Sequence, residues 1–138
     1  MAETRPSSTP GVTSAPRSAR IRILVADSED IVASITADLL QDLGYDVTTI
    51  QHSMTGLVTA AQQDRPDLVV VDTMLSGSED DGALIETVGR LGMPTLFTTG
   101  GIFTEPGVSS LAKPFSQTEL AKAVQSVIDR VPRLVKPS

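Results

Sequence analysis

Asp67-Leu68-Val69-Val70-Val71-Asp72 is the stretch whose reading decides the fold. An unbroken apolar run, mostly valine, stands between two aspartates. Valine is stiff at χ1 and fits the pleat of a strand better than the crowded turn of a helix. A strand apolar on both of its alternating faces must be covered on both, as a central strand of a parallel sheet is. The pattern recurs on either side. Ile21-Arg22-Ile23-Leu24-Val25-Ala26-Asp27 lies upstream; Pro94-Thr95-Leu96-Phe97-Thr98-Thr99 and Val108-Ser109-Ser110-Leu111-Ala112-Lys113-Pro114-Phe115 lie downstream. Each begins apolar and ends on a chemically able side chain. Ligands of open parallel α/β sheets bind at the carboxyl ends of the strands. Two carboxylates, a hydroxyl and a lysine on that edge make a site for an anion held by a metal and a lysine.

Helical patterns separate these strands. Ser28-Glu29-Asp30 is an acidic helix start, suited to the positive end of a helix dipole. Ile31, Ile35, Leu39 and Leu43 then recur at helical spacing, with Gly44 as the stop. Residues 45–50 read as a second strand, and 53–63 as a weaker helix with Leu57, Val58 and Ala61 inward. A loop rich in Gly, Ser and Asp follows Asp72, then a helix carrying Leu84, Ile85, Val88 and Leu91. The last helix places Leu120, Val124, Val127, Ile128 and Val131 on one face. Five βα units predict an α/β fold, a doubly wound five-stranded parallel sheet with right-handed crossovers.

Composition narrows the function classes. A chain of 138 residues can bury one sizeable core, and with only 3% aromatic residues that core must rest on Ile, Leu, Val and Ala. A net charge of -6 argues against a broad basic surface for nucleic acid. The absence of cysteine excludes disulfides and thiolate chemistry. No apolar run is long enough to cross a bilayer, and the N-terminus lacks the apolar core of a signal peptide, so a cytoplasmic location is expected, without membrane or nucleic-acid partners. Residues 1–19, punctuated by Pro6, Pro10 and Pro16, read as a disordered tail, 20–131 as the domain, and 132–138 as a second short tail.

Over residues 20–131 the chain resembles the bacterial response-regulator receiver domain, the CheY-like fold. The resemblance rests on Asp27-Ser28-Glu29 after the first strand, Asp72 after Val69-Val70-Val71, Thr99 ending the fourth strand, and Lys113-Pro114-Phe115 after the fifth. It implies strand order 2-1-3-4-5, a phosphoryl-accepting Asp72, and a cis peptide before Pro114 that aims Lys113 into the crevice. It also implies Mg²⁺ held by Asp27, Asp72 and the backbone carbonyl of Met74. Lys113 would pair with the phosphoryl oxygens or with Asp72, and Thr99 would donate a hydrogen bond to the phosphoryl group. A carboxylate can attack phosphorus to form an acyl phosphate, and the meeting of two anions requires neutralising charge. The implied partners are a sensor histidine kinase and a phosphotransfer or output protein, in a phosphorelay run by protein contacts. The chain ends after its last helix, so no output domain is expected.

Three departures from the family pattern stand out. Ser28 occupies the position of a second acidic metal ligand; its neutral hydroxyl is a poorer ligand for a hard cation, so Mg²⁺ should be held weakly. Residues 100–107 contain glycines and Pro106, which oppose helix, so the fourth crossover helix should be short or absent. Ser110 stands where a switch aromatic is expected. With Leu96-Phe97-Thr98-Thr99-Gly100, the last two features resemble a stand-alone subgroup carrying a Phe-Ala-Thr-Gly-type motif. Several residues keep a plainer reading: Asp27 as a helix cap, Thr98 as competitor to Thr99, Glu79-Asp80-Asp81 as a solvated acidic loop and His52 as a surface residue. Two other function classes remain: a pseudo-receiver binding module, favoured by Ser28, and a flavodoxin-like cofactor binder. The latter is disfavoured, because Asp27, Glu29 and Asp30 would repel an unescorted phosphate.

Overall fold

The structure, a computed structural model, describes residues 20–75, 81–100 and 107–134. Strand and helix alternate as β1 (Arg22–Ala26), α1 (Asp30–Asp42), β2 (Asp46–Gln51), α2 (Met54–Asp64), β3 (Leu68–Asp72), α3 (Asp81–Leu91), β4 (Thr95–Thr99), β5 (Ser110–Ala112) and α4 (Gln117–Asp129). The strands form one sheet in the order β2-β1-β3-β4-β5, all neighbours parallel, as the resemblance implied. β3 is buried along its whole length, which is what its unbroken apolar run requires.

Alternation along the strands divides the core in two. Ile23, Val25, Val70 and Leu96 meet Ala33, Ala37 and Leu40 of α1 and Leu120, Val124 and Ile128 of α4 on one face. Leu24, Ala26, Val69, Val71 and Phe97 meet Leu57 and Ala61 of α2 and Leu84 and Val88 of α3 on the other. The scarcity of aromatics is met by aliphatic packing, with Phe97 the one aromatic among the buried core residues described.

Helix α1 corrects the apolar row read from the sequence. Ile31 and Ile35 are 75% and 53% exposed, while Ala33, Thr36, Ala37 and Leu40 are buried. A four-residue spacing drifts about 40° around the helix at each step. The row Ile31, Ile35, Leu39, Leu43 therefore starts on the solvent side and only later turns toward the sheet. On α2, Leu57, Ala60 and Ala61 are buried and Val58 is only partly so. At the C-terminus a 3₁₀ turn, Pro132–Leu134, extends the packed unit beyond Val131, with Leu134 joining the core. The helices described number four, the last following β5. The expected shortening of the crossover between β4 and β5 rests on residues 101–106, which lie outside the described residues. So do the acidic loop residues 79–80 and the tail at 1–19.

Candidate functional site

Parallel pairing of β1 with β3 aligns Ala26 with Val71, so the next residues, Asp27 and Asp72, emerge side by side at the carboxyl edge. Both are almost fully buried. Lys113 follows β5, its backbone N–H donating to the Thr99 carbonyl at 2.7 Å and its peptide bond to Pro114 cis. Its ammonium lies 2.8 Å from Asp27 Oδ2 and 3.5 Å from Asp72 Oδ1. The lysine thus touches both carboxylates, Asp27 more closely. The contact with Asp72 is the one the resemblance implies; that with Asp27 is additional.

The electrostatics follow from this packing. Burial, then the neighbouring Asp27 charge, push the Asp72 carboxyl above the usual aspartate range, against the pull of Lys113 and of the Met74 N–H. For Lys113, burial alone would lower the pKa. The hydrogen bond to Asp27 and the charges of Asp72 and Asp27 outweigh burial and raise it. The lysine is therefore held as a cation between the two carboxylates.

Asp27 is held at every polar atom. Its N–H donates to the Gln51 carbonyl at 2.9 Å, and its Oδ1 accepts from the Glu29 N–H at 2.9 Å. Its own carbonyl faces His52 Nδ1 at 2.8 Å. The other ring nitrogen of His52 lies 3.2 Å from Asp30 Oδ1. His52 is exposed, as the sequence reading expected, and its ring also braces the Asp27 turn, a role the sequence did not show. The pairing of Ala26 with Gln51 carries the signal for it, since the residue after Gln51 must lie beside Asp27.

The loop after β3 is equally fixed. The Thr73 N–H donates to the Thr98 carbonyl at 2.9 Å and the Leu75 N–H to the Asp72 carbonyl at 3.1 Å. Ser28 Oγ donates to the Met74 carbonyl at 3.2 Å. Thr99 and Thr98 are both buried at the end of β4. Asp27, Asp72, Lys113, Ser28 and the Met74 carbonyl are thus brought together, with Thr99 on the same edge.

With Ser28 in place of an acidic residue, a divalent cation here has one hard anionic ligand fewer, and the oxygens that would hold it already accept hydrogen bonds. Mg²⁺ demands near-octahedral oxygen donors. Both Asp27 oxygens already accept a hydrogen bond, from the Glu29 N–H and from Lys113. The Met74 carbonyl accepts from Ser28, and among the described residues Lys113 is the cation in contact with both carboxylates. Among the described residues no cluster of three or more His, Asp or Glu side chains is placed to hold a metal.

A doubly wound sheet with a buried acidic pair and a lysine at its carboxyl edge defines the class. No family model matches the chain. It is 30% identical over 119 residues to the DNA-binding response regulator MtrA of Mycobacterium tuberculosis, covering 80% of this chain and 52% of that one. It is 27% identical over 123 residues to the probable transcriptional regulatory protein TcrX of the same organism, covering 80% and 50%. The chain spans about half the length of these curated relatives. Among solved structures, the PhyR stress response regulator superposes with a TM-score of 0.69 at 25% identity, covering 83% of this chain and 47% of that one. The receiver domain of Erythrobacter litoralis PhyR gives 0.67 at 23%, covering 80% and 91%. The described residues have the CheY-like fold of response-regulator receiver domains. No described helix is long and apolar enough to cross a membrane.

Proposed function

We propose that this chain accepts a phosphoryl group on Asp72 from a phosphohistidine of a sensor histidine kinase. It then passes the signal on through contacts with a phosphotransfer or output protein. One observation carries the reading: Lys113 sits between two buried carboxylates, one of which ends the central strand. In the transfer, a carboxylate oxygen of Asp72 attacks phosphorus, a P–O bond forms, the P–N bond to the donor imidazole breaks, and that nitrogen takes up a proton. Lys113 supplies charge to the transferred group, and Thr99 supplies a hydroxyl from the neighbouring strand end. Exposed Ile31 and Ile35, on the first turns of α1, offer an apolar foothold beside this edge for the donor protein. The partial Phe-Ala-Thr-Gly-type motif at Phe97-Thr98-Thr99-Gly100 supports placement in the stand-alone subgroup.

A second reading, a pseudo-receiver that binds partners without using phosphate, is favoured by Ser28 in place of an acidic residue. Intact-mass measurement after incubation with a small phosphodonor, with and without Mg²⁺, decides between them. The expected outcome is one phosphoryl mass on the wild type and none on Asp72→Asn. No gain on the wild type, or gain on a Ser or Thr, sinks the phosphoacceptor reading. The nucleophile must be ionised and its carboxyl is raised, mainly by burial. The labelling rate should therefore fall as pH drops through a value above that of an ordinary aspartate.

A further inference from the structure

The β1–α1 turn and the loop after β3 face each other across an edge where two aspartates bring like charge together, so a tie is needed. Where a divalent cation would bridge residue 28 to the Met74 carbonyl, this chain has a hydrogen bond instead, from Ser28 Oγ to that carbonyl. We propose that the Ser28 hydroxyl is the strap that replaces a bridging metal. The acceptor loop then keeps its shape without a divalent cation, and Lys113 serves as the resident cation of the site.

Three features support the strap. A carboxylate at position 28 could not donate to a carbonyl, since an ionised acid is an acceptor only. The hydroxyl makes a bond there that the usual acidic residue could not make without a metal between. The charge also balances differently: Ser28 leaves two carboxylates in contact with one ammonium, whereas a third would raise the repulsion that a divalent ion normally relieves. Finally, the loop is already oriented for the strap. Its Met74 N–H supports the Asp72 carboxylate, and the neighbouring Thr73 and Leu75 N–H groups are bonded to the Thr98 and Asp72 carbonyls. The Met74 carbonyl is thereby presented to Ser28.

The inference rests on reading this edge as a receiver site, and the experiment keeps the two apart. Amide hydrogen exchange of residues 72–75 is measured on the full chain, with and without Mg²⁺, for wild type, Ser28→Ala, Ser28→Thr and Ser28→Asp. Wild type should protect the Met74 and Leu75 amides equally with and without Mg²⁺. Ser28→Ala should exchange roughly two- to tenfold faster, the worth of one net hydrogen bond. Ser28→Thr, which keeps the hydroxyl, should restore protection. Ser28→Asp should be loose without metal and tighten when Mg²⁺ is added. A wild-type loop protected only in Mg²⁺, or Ser28→Ala protection equal to wild type in its absence, would overturn the strap. A Ser28→Ala chain that fails to fold leaves the wild-type and Ser28→Asp arms to decide. The strap is judged by exchange and the phosphoacceptor reading by mass, so either can fail alone.

Discussion

Helices α1 and α4 have the same length, thirteen residues, and cover the same face of the sheet, yet they are built on opposite plans. α4 turns Leu120, Val124, Val127 and Ile128 into the core, and it starts on a complete capping box between Ser116 and Glu119. α1 lies on the sheet through Ala33, Ala37 and Leu40, leaves Ile31 and Ile35 outside, and has no side-chain cap at Glu29. Its first turn is tied instead to the site. Asp27 accepts the Glu29 N–H, and Asp30 meets the His52 that also faces the Asp27 carbonyl. One helix turns its apolar residues into the core. The other is shared between core, site and an outward apolar face.

The largest test of this contrast is a pair of truncations. Leu120→Ala removes a fully buried side chain of α4 and should cost about 2–5 kcal/mol. Ile35→Ala on α1 should change stability by no more than about 0.5 kcal/mol, as for an exposed site. Urea unfolding of both variants measures the difference. Comparable losses would mean that α1 packs as α4 does.

A second test asks what the outward face of α1 is for. With both isoleucines changed, Ile31→Ser and Ile35→Ser, phosphotransfer from a partner kinase should fall about tenfold or more, as when an apolar anchor is lost from an interface. Labelling by a small phosphodonor, which needs no docking, should be unchanged. Equal loss with both donors would show that the substitutions disturb Asp27 through the first turn of α1, not a docking face.

The same contrast explains what the sequence made legible. β3 and α4 read directly, because a run apolar on both faces and a long one-sided stripe each admit one placement. α1 did not. Its two isoleucines lie largely outside, and the residues nearest the sheet include Ala33 and Ala37, small side chains that carry little hydropathy signal but allow close approach. In the site, Asp27, Asp72 and Lys113 were legible because each ends a strand, and parallel strands bring their ends to one edge. His52 was not, because a lone histidine after a strand has no local signature. Only the register of β2 on β1, which shifts between Ile23 and Leu24, sets it beside Asp27. The Ser28 bond to the Met74 carbonyl was hidden for the same reason: it joins positions 46 residues apart.

The smallest effects lie at the two helix starts, and they sharpen the comparison most. Ser116→Ala breaks the capping box of α4 and should cost about 1 kcal/mol, since the Glu119 N–H loses its acceptor. Glu29→Ser puts a good capping residue at the start of α1, yet should change stability by only about a few tenths of a kcal/mol. A new side-chain acceptor is gained there. A negative charge near the positive end of the helix is lost, and such a charge is worth about 0.3–1 kcal/mol. The Glu29 N–H, meanwhile, is already bonded to Asp27. Thermal unfolding of the two variants and the wild type compares them. If Glu29→Ser instead stabilises by as much as Ser116→Ala destabilises, the start of α1 is undercapped and its acidic residue contributes little. If it is neutral, the new side-chain acceptor is offset by the negative charge lost from the positive end of the helix.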